Sequence, residues 1–163
     1  MANNRICTAV LMLLVIGAVA LGFNVQSIAV SNSSFFNAST TVGGPITSDT
    51  NWTKADSPYI VSSSVLVSEG VTLTIEPGVV VKFDLLKGLQ VDGQLIARGT
   101  EDEWIVFTSM KDDTVGGDSN GDGDLTFPAP GDWAYVFFTD LSVDAAFDAD
   151  GRYVDGAILE CCK

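Results

Sequence analysis

Residues 112–133 read DDTVGGDSNGDGDLTFPAPGDW, with six carboxylates and five glycines. Within this stretch Asp118, Asn120 and Asp122 occupy alternate positions, followed by Gly123 and Asp124. Alternate short oxygen side chains can converge on one hard cation, and the glycine turns the chain so that a later oxygen comes back to it. This is the D-x-[DN]-x-[DN]-G pattern of calcium loops. Where a helix-flanked loop carries a bidentate acid at its twelfth position, this chain has Ala129 between Pro128 and Pro130. No exiting helix is expected there, so the ion must take its last ligand elsewhere, and Asp112, Asp113 or Asp132 are available. Five acids fall between Asp112 and Asp124 with no base among them. Such a loop repels itself unless a cation holds it, so the expected cofactor is a structural calcium ion. The competing reading is a solvated excursion, because Asp, Asn and Gly are ordinary turn residues.

Other chemistry has less to build on. The chain has no histidine, which removes Ser-His-Asp and Cys-His catalysis and the usual His-bearing zinc sites. Glycosidases need two carboxylates about 5 to 9.5 Å apart, and polysaccharide lyases pair bound calcium with an arginine or lysine base. Only Arg98, at a corner beside Gly99, and Arg152 could supply that arginine. Asp84 and Asp92 also sit at corners, so no catalytic constellation emerges and no enzyme activity is expected. Trp104, Trp133, Tyr135 and Phe137 could form a sugar-stacking platform, but core or edge packing is the simpler reading.

The elements that position the acidic loop are strands. From Tyr59 onward, YIVSSSVLVSEGVTLTIEPGVVVKFDLLKGLQVDGQLIARGTEDEWIVFTS alternates apolar and polar residues in short runs, broken by Glu-Gly, Pro-Gly, Lys-Gly, Asp-Gly and Arg-Gly. A step of sixteen residues superimposes Leu73, Leu89 and Ile105, then Ile75, Val91 and Phe107, with Val79 on Leu95 and Val81 on Ala97. Inward residues recurring at one lateral place per turn predict a parallel β-solenoid with rungs about 4.8 Å apart. An antiparallel sandwich is the alternative, since Asp92-Gly93 between LQV and QLIA also reads as a hairpin turn. In the solenoid, Tyr59–Val67 is expected to cap the first coil and Ile158–Cys161 to remain an open edge through which copies self-associate.

The flanks suggest an exported chain. Residues 1–29 carry one positive charge, Arg5, then an uncharged apolar run and small residues near Ala29. This predicts a signal peptide, or else an uncleaved anchor that would be the sole link to a membrane. Residues 30–56 begin Ser/Thr-rich, which reads as a linker or loosely packed cap. They hold glycosylation sequons at Asn32, Asn37 and Asn51. Coils are expected over 57–110, the acidic loop over 111–133 and a further, incomplete coil over 134–163. Residues 101–163 carry fifteen acids against three bases, a surface that repels nucleic acid and attracts cations. Neighbouring Cys161 and Cys162 are expected to be free thiols or to pair elsewhere, because a bond between neighbours closes a strained ring.

Taken together, GVTLTIEPGVVVKF, LQVDGQLIARGT, IVFTS, GGDSNGDG and PGDW resemble the start of the right-handed parallel β-helix module of archaeal and bacterial cell-surface proteins. The resemblance covers roughly Ser57 to Trp133 and extends weakly through DGAILEC. It implies an all-β, right-handed parallel β-helix that continues for many coils, so this chain would be a truncated piece of one. It also implies a secreted or surface-exposed protein, adhesive or envelope-associated, whose partners are envelope polysaccharide or other surface proteins. Some members are attached to carbohydrate-processing regions, and a fragment of a carbohydrate-active protein is therefore the alternative function.

Overall fold

Alternation at period two requires each strand to bury one face, and the strands do so by stacking coil upon coil. The structure, a computed structural model, describes residues 39–163. These form twelve short strands, one 3-10 turn at Lys54–Asp56 and no α-helix. Among the described residues, no helix is long and apolar enough to cross a membrane.

The strands pair in parallel in three columns. The first joins the leading half of β1 (Thr40–Ile46), the leading half of β3 (Tyr59–Val67), β5 (Val80–Phe83) and β8 (Val106–Ser109). The second joins the trailing halves of β1 and β3 to β6 (Leu89–Val91) and β9 (Val136–Phe138). The third joins β2 (Thr50–Trp52), β4 (Thr72–Ile75), β7 (Gln94–Arg98) and β12 (Ile158–Glu160). The exposed residues Ser62, Ser63 and Ser64 mark the corner where β3 passes from one column to the next. The chain visits the columns in the same order on every coil, giving an all-β solenoid of about three full turns, stacked as four coils that begin at β1, β3, β5 and β8, the last of them interrupted. Outside the stack, β10 (Ala146–Phe147) and β11 (Tyr153–Asp155) form a small antiparallel hairpin.

Val61, Leu73, Leu89, Val91, Leu95 and Ile105 are wholly buried inside the coil. Each such side chain contributes about 1.5–3 kcal/mol relative to an exposed one. Near the first coil, Trp52 stacks on Tyr59 with ring centroids 4.8 Å apart.

The solenoid expectation holds, but its register does not. Leu73 lies beside Leu95 and Ile75 beside Ala97, twenty-two residues on. Leu89 and Val91 lie beside Val65 and Val67, and Val81 lies between Tyr59 and Phe107. The sixteen-residue stacks therefore do not form. Period-two alternation superimposes apolar residues at any even offset, and the length of the corners, which carries no such signal, decides among them.

The hairpin alternative fails as well, because β6 and β7 belong to different columns and Asp92-Gly93 is a corner between them. A Cβ at Gly93 would run into the carbonyl oxygens of Ser68 and Val71 in the coil before. Tyr59–Val67 is not a cap but an interior rung, with β1 on one side and β5 and β6 on the other. The rung before it, β1 and β2, comes from the stretch whose composition reads as linker or cap. At the other end, β9 and β12 pair on one side only among the described residues. Closing part of that end, Cys161–Lys163 bond to Ile105 and Phe107 and begin a new rung over the first column.

The fourth coil is interrupted twice. The acidic stretch leaves between β8 and β9, and the β10–β11 hairpin leaves between β9 and β12.

Candidate metal centre

The acidic loop departs where β8 ends, and Asp132 staples its two ends together. The Asp132 carboxylate accepts hydrogen bonds from the Ser109 hydroxyl (3.0 Å) and the Ala129 N–H (2.8 Å), and from the Lys111 ammonium (2.8 Å). Lys111 first, and then the Ala129 N–H, hold its carboxyl below the ordinary range. Asp112 is also engaged locally, by the Thr108 hydroxyl (2.8 Å) and the Thr114 hydroxyl (2.5 Å). Burial works against its charge, but the bonds from Thr114 and Thr108 outweigh it and lower its pKa. Two of the expected ligands thus hold the loop's shape.

Asp113, Asp118 and Asp122 converge, each placing a carboxylate oxygen within 4.8 Å of the others. The Asp118 oxygens accept the N–H groups of Gly121 (2.7 Å) and Gly123 (2.9 Å). The Gly123 bond is the largest influence on Asp118 and lowers its pKa in spite of burial. Asp122 Oδ2 accepts the Asn120 amide (2.8 Å) and the Thr126 hydroxyl (2.5 Å). One oxygen each of Asp113 and Asp122, Oδ1 in both, is shut off from solvent with no hydrogen-bond partner. Burial, then the charge of Asp118, raises the pKa of Asp113. Asn120 spends its amide on Asp122 and Thr126, and Asp124 is exposed and outside the converging trio.

The loop has no base of its own from Asp112 to Asp124, but Lys82 of β5 lies beneath it. The β5 alternation points Lys82 away from the core, between inward Val81 and Phe83, yet its side chain is wholly buried because the loop covers it. Its ammonium donates to the Gly117 carbonyl. Burial lowers the Lys82 pKa, while Asp113, Asp112 and Asp118 pull it back up. A lysine at an outward strand position is normally solvated, so the only signal in the sequence was a charged residue inside the run VVVKF.

The donor set suits a hard cation. Carboxylate oxygens are the preferred ligands of calcium, and two of those here are buried without a partner. Calcium takes about 6–8 oxygens, so the trio would share it with backbone carbonyls and water. Asp122 borders a cleft with Phe83 and Leu85, and Asp113 and Asp124 border another with Phe127 and Pro128.

The remaining candidates lie apart from this centre in their bonding. Arg98 pairs with Glu160 (2.8 Å) and sits 5.1 Å from the centre of the Tyr153 ring, and Arg152 pairs with Asp150 (2.8 Å). Trp133 stacks on Phe83 at 4.7 Å as packing requires, whereas Tyr135 and Phe137 are exposed and meet edge to face at 6.2 Å. Cys161 and Cys162 are free thiols. Asn51 is exposed on β2, its amide bonded to Glu76 (3.0 Å). Residues 1–29, expected to be a signal peptide or anchor, and Asn32 and Asn37 fall outside the described residues.

No family model matches the chain, and no solved structure matches it. A stretch of 68 residues, 42% of the chain, is 43% identical to Protein bark beetle of Drosophila melanogaster. That stretch spans about 2% of the fly protein's length.

Proposed function

We propose that the chain is part of a secreted or cell-surface β-solenoid, structural or adhesive rather than catalytic, whose acidic loop holds one structural calcium ion. The observation that carries the proposal is the convergence of Asp113, Asp118 and Asp122 with two buried carboxylate oxygens left unpartnered. Leaving such oxygens unpaired is costly, and a cation removes that cost. The likeness to archaeal and bacterial surface modules rests on the quoted motifs, and the export reading rests on residues 1–29. Envelope polysaccharide or neighbouring surface proteins are the partners this reading implies.

Calorimetric titration of the chain with calcium tests the site. With few side-chain ligands, a dissociation constant of about 10⁻⁴ to 10⁻³ M is expected, as in other extracellular modules. Magnesium should bind less well, because it demands tighter octahedral geometry. Absence of both heat and thermal shift at millimolar calcium would reject the metal site and leave a solvated loop.

A further inference from the structure

The acidic loop leaves the fourth coil but folds back across earlier ones. Gly116 lies against Pro58, which leads into β3, and against Val80 and Lys82 of β5. A Cβ at Gly116 would approach their side-chain carbons to 3.1–3.3 Å, and its φ of +65° disfavours any other residue. At the next residue the Gly117 carbonyl receives the Lys82 ammonium, which no solvent reaches. Around that ammonium lie the charges of Asp112, Asp113 and Asp118. A buried ammonium is tolerated only when its charge is balanced and it is hydrogen-bonded. The loop supplies the Gly117 carbonyl as acceptor and the field of the three carboxylates, though none is close enough to form an ion pair.

We propose that Lys82 is the resident cation of the acidic loop: it clasps Gly116-Gly117 to the outer face of β5 and presets the Asp113–Asp118–Asp122 arrangement before any metal ion arrives. The proposal deepens the calcium reading and depends on it only for the ion. The acids acting on Lys82 and on Asp113 outnumber the single ammonium, so the loop keeps an excess of negative charge for a further cation. Lys82 is thus a positioning residue, and the ion adds to a loop already closed.

The test follows amide hydrogen exchange at Gly121 and Gly123, whose N–H groups bond Asp118, in the full chain with a chelator present. Lys82→Met keeps the stem and removes the charge, so protection at both amides should fall by about tenfold or more. Lys82→Arg keeps the charge and should retain most of the protection. Millimolar calcium should restore protection in Lys82→Met, because the ion replaces the lost positive charge. Unchanged protection in Lys82→Met with chelator would overturn the clasp. Should Lys82→Met lose its cooperative β-sheet melting, Lys82→Gln decides, because it keeps a polar donor under the loop without the charge and leaves Gly116 unstrained. Loss of protection in Lys82→Gln supports the clasp and full protection refutes it. If Lys82→Met loses protection and the wild-type chain shows neither heat nor thermal shift with millimolar calcium, the clasp stands and the calcium reading falls.

Discussion

Leu73 and Leu95 lie side by side in parallel register, one coil apart, and solvent reaches neither. Each is enclosed by the coil's interior, so the space left by truncation has little means of collapse. Leu95→Ala should destabilise the chain by about 2–5 kcal/mol in urea unfolding. A loss below about 1 kcal/mol would mean that this column is not packed as described.

Gly93 makes a comparable demand at a corner. Alanine there would press its methyl group against the Ser68 and Val71 carbonyls, and forcing atoms into a packed site typically costs about 1–3 kcal/mol. Gly93→Ala should lower the melting temperature, whereas a neutral result would contradict the close approach of the two coils.

Calcium should raise the melting temperature of the wild-type chain relative to chelator. At a free concentration a hundredfold above the dissociation constant, linkage adds about 2.7 kcal/mol. Asp122→Ala removes a converging carboxylate and should abolish the difference. Differential scanning calorimetry of both chains, with and without calcium, makes the comparison.

The carboxylates of the loop should act in opposite directions on pH. Asp118 and Asp132 have lowered pKa values in the folded chain. Their contribution is full above the ordinary value of 3.8 and is lost as pH falls through their lower folded values. Asp113 is raised from 3.8, so its contribution is present below that value and lost as pH rises through its higher folded one. In chelator, Asp113→Asn should therefore stabilise the chain near neutral pH. Asp132→Asn should destabilise it there and flatten the acid limb of the stability curve. Urea unfolding across the range from about pH 7 to pH 2 checks both signs.

The inward residues were legible in the sequence and their partners were not. Leu73, Ile75, Leu89, Val91 and Ile105 are all buried, as alternation requires. Alternation alone cannot tell an offset of sixteen from one of twenty-two, because it repeats every two residues. In the candidate site, Asp118 and Asp122 came from their spacing, since neighbours along a tight loop must also be neighbours in space. Lys82 could not be found that way. Its place under the loop depends on Gly116-Gly117 folding back over β5, a contact between residues thirty-five apart. The bonds that tie Asp112 and Asp132 to the solenoid were hidden for a related reason, because Thr108 and Ser109 belong to β8 rather than to the loop.

The two excursions from the fourth coil also impose an order of assembly. The rungs between β4 and β7 or between β3 and β5 close over twenty-two residues, whereas β9 reaches β6 over forty-seven and β12 reaches β7 over sixty-two. Each doubling of a closed loop adds about 0.6 kcal/mol of entropy to the cost of closure, and distant pairings form late. The early coils then serve as the template on which the last one anneals, and the last one is the first to detach. The carboxylate trio follows β8, which reaches β5 over only twenty-six residues, so it needs the early coils beneath it but not β9 or β12, and a cation captured there can lock those coils but cannot nucleate them.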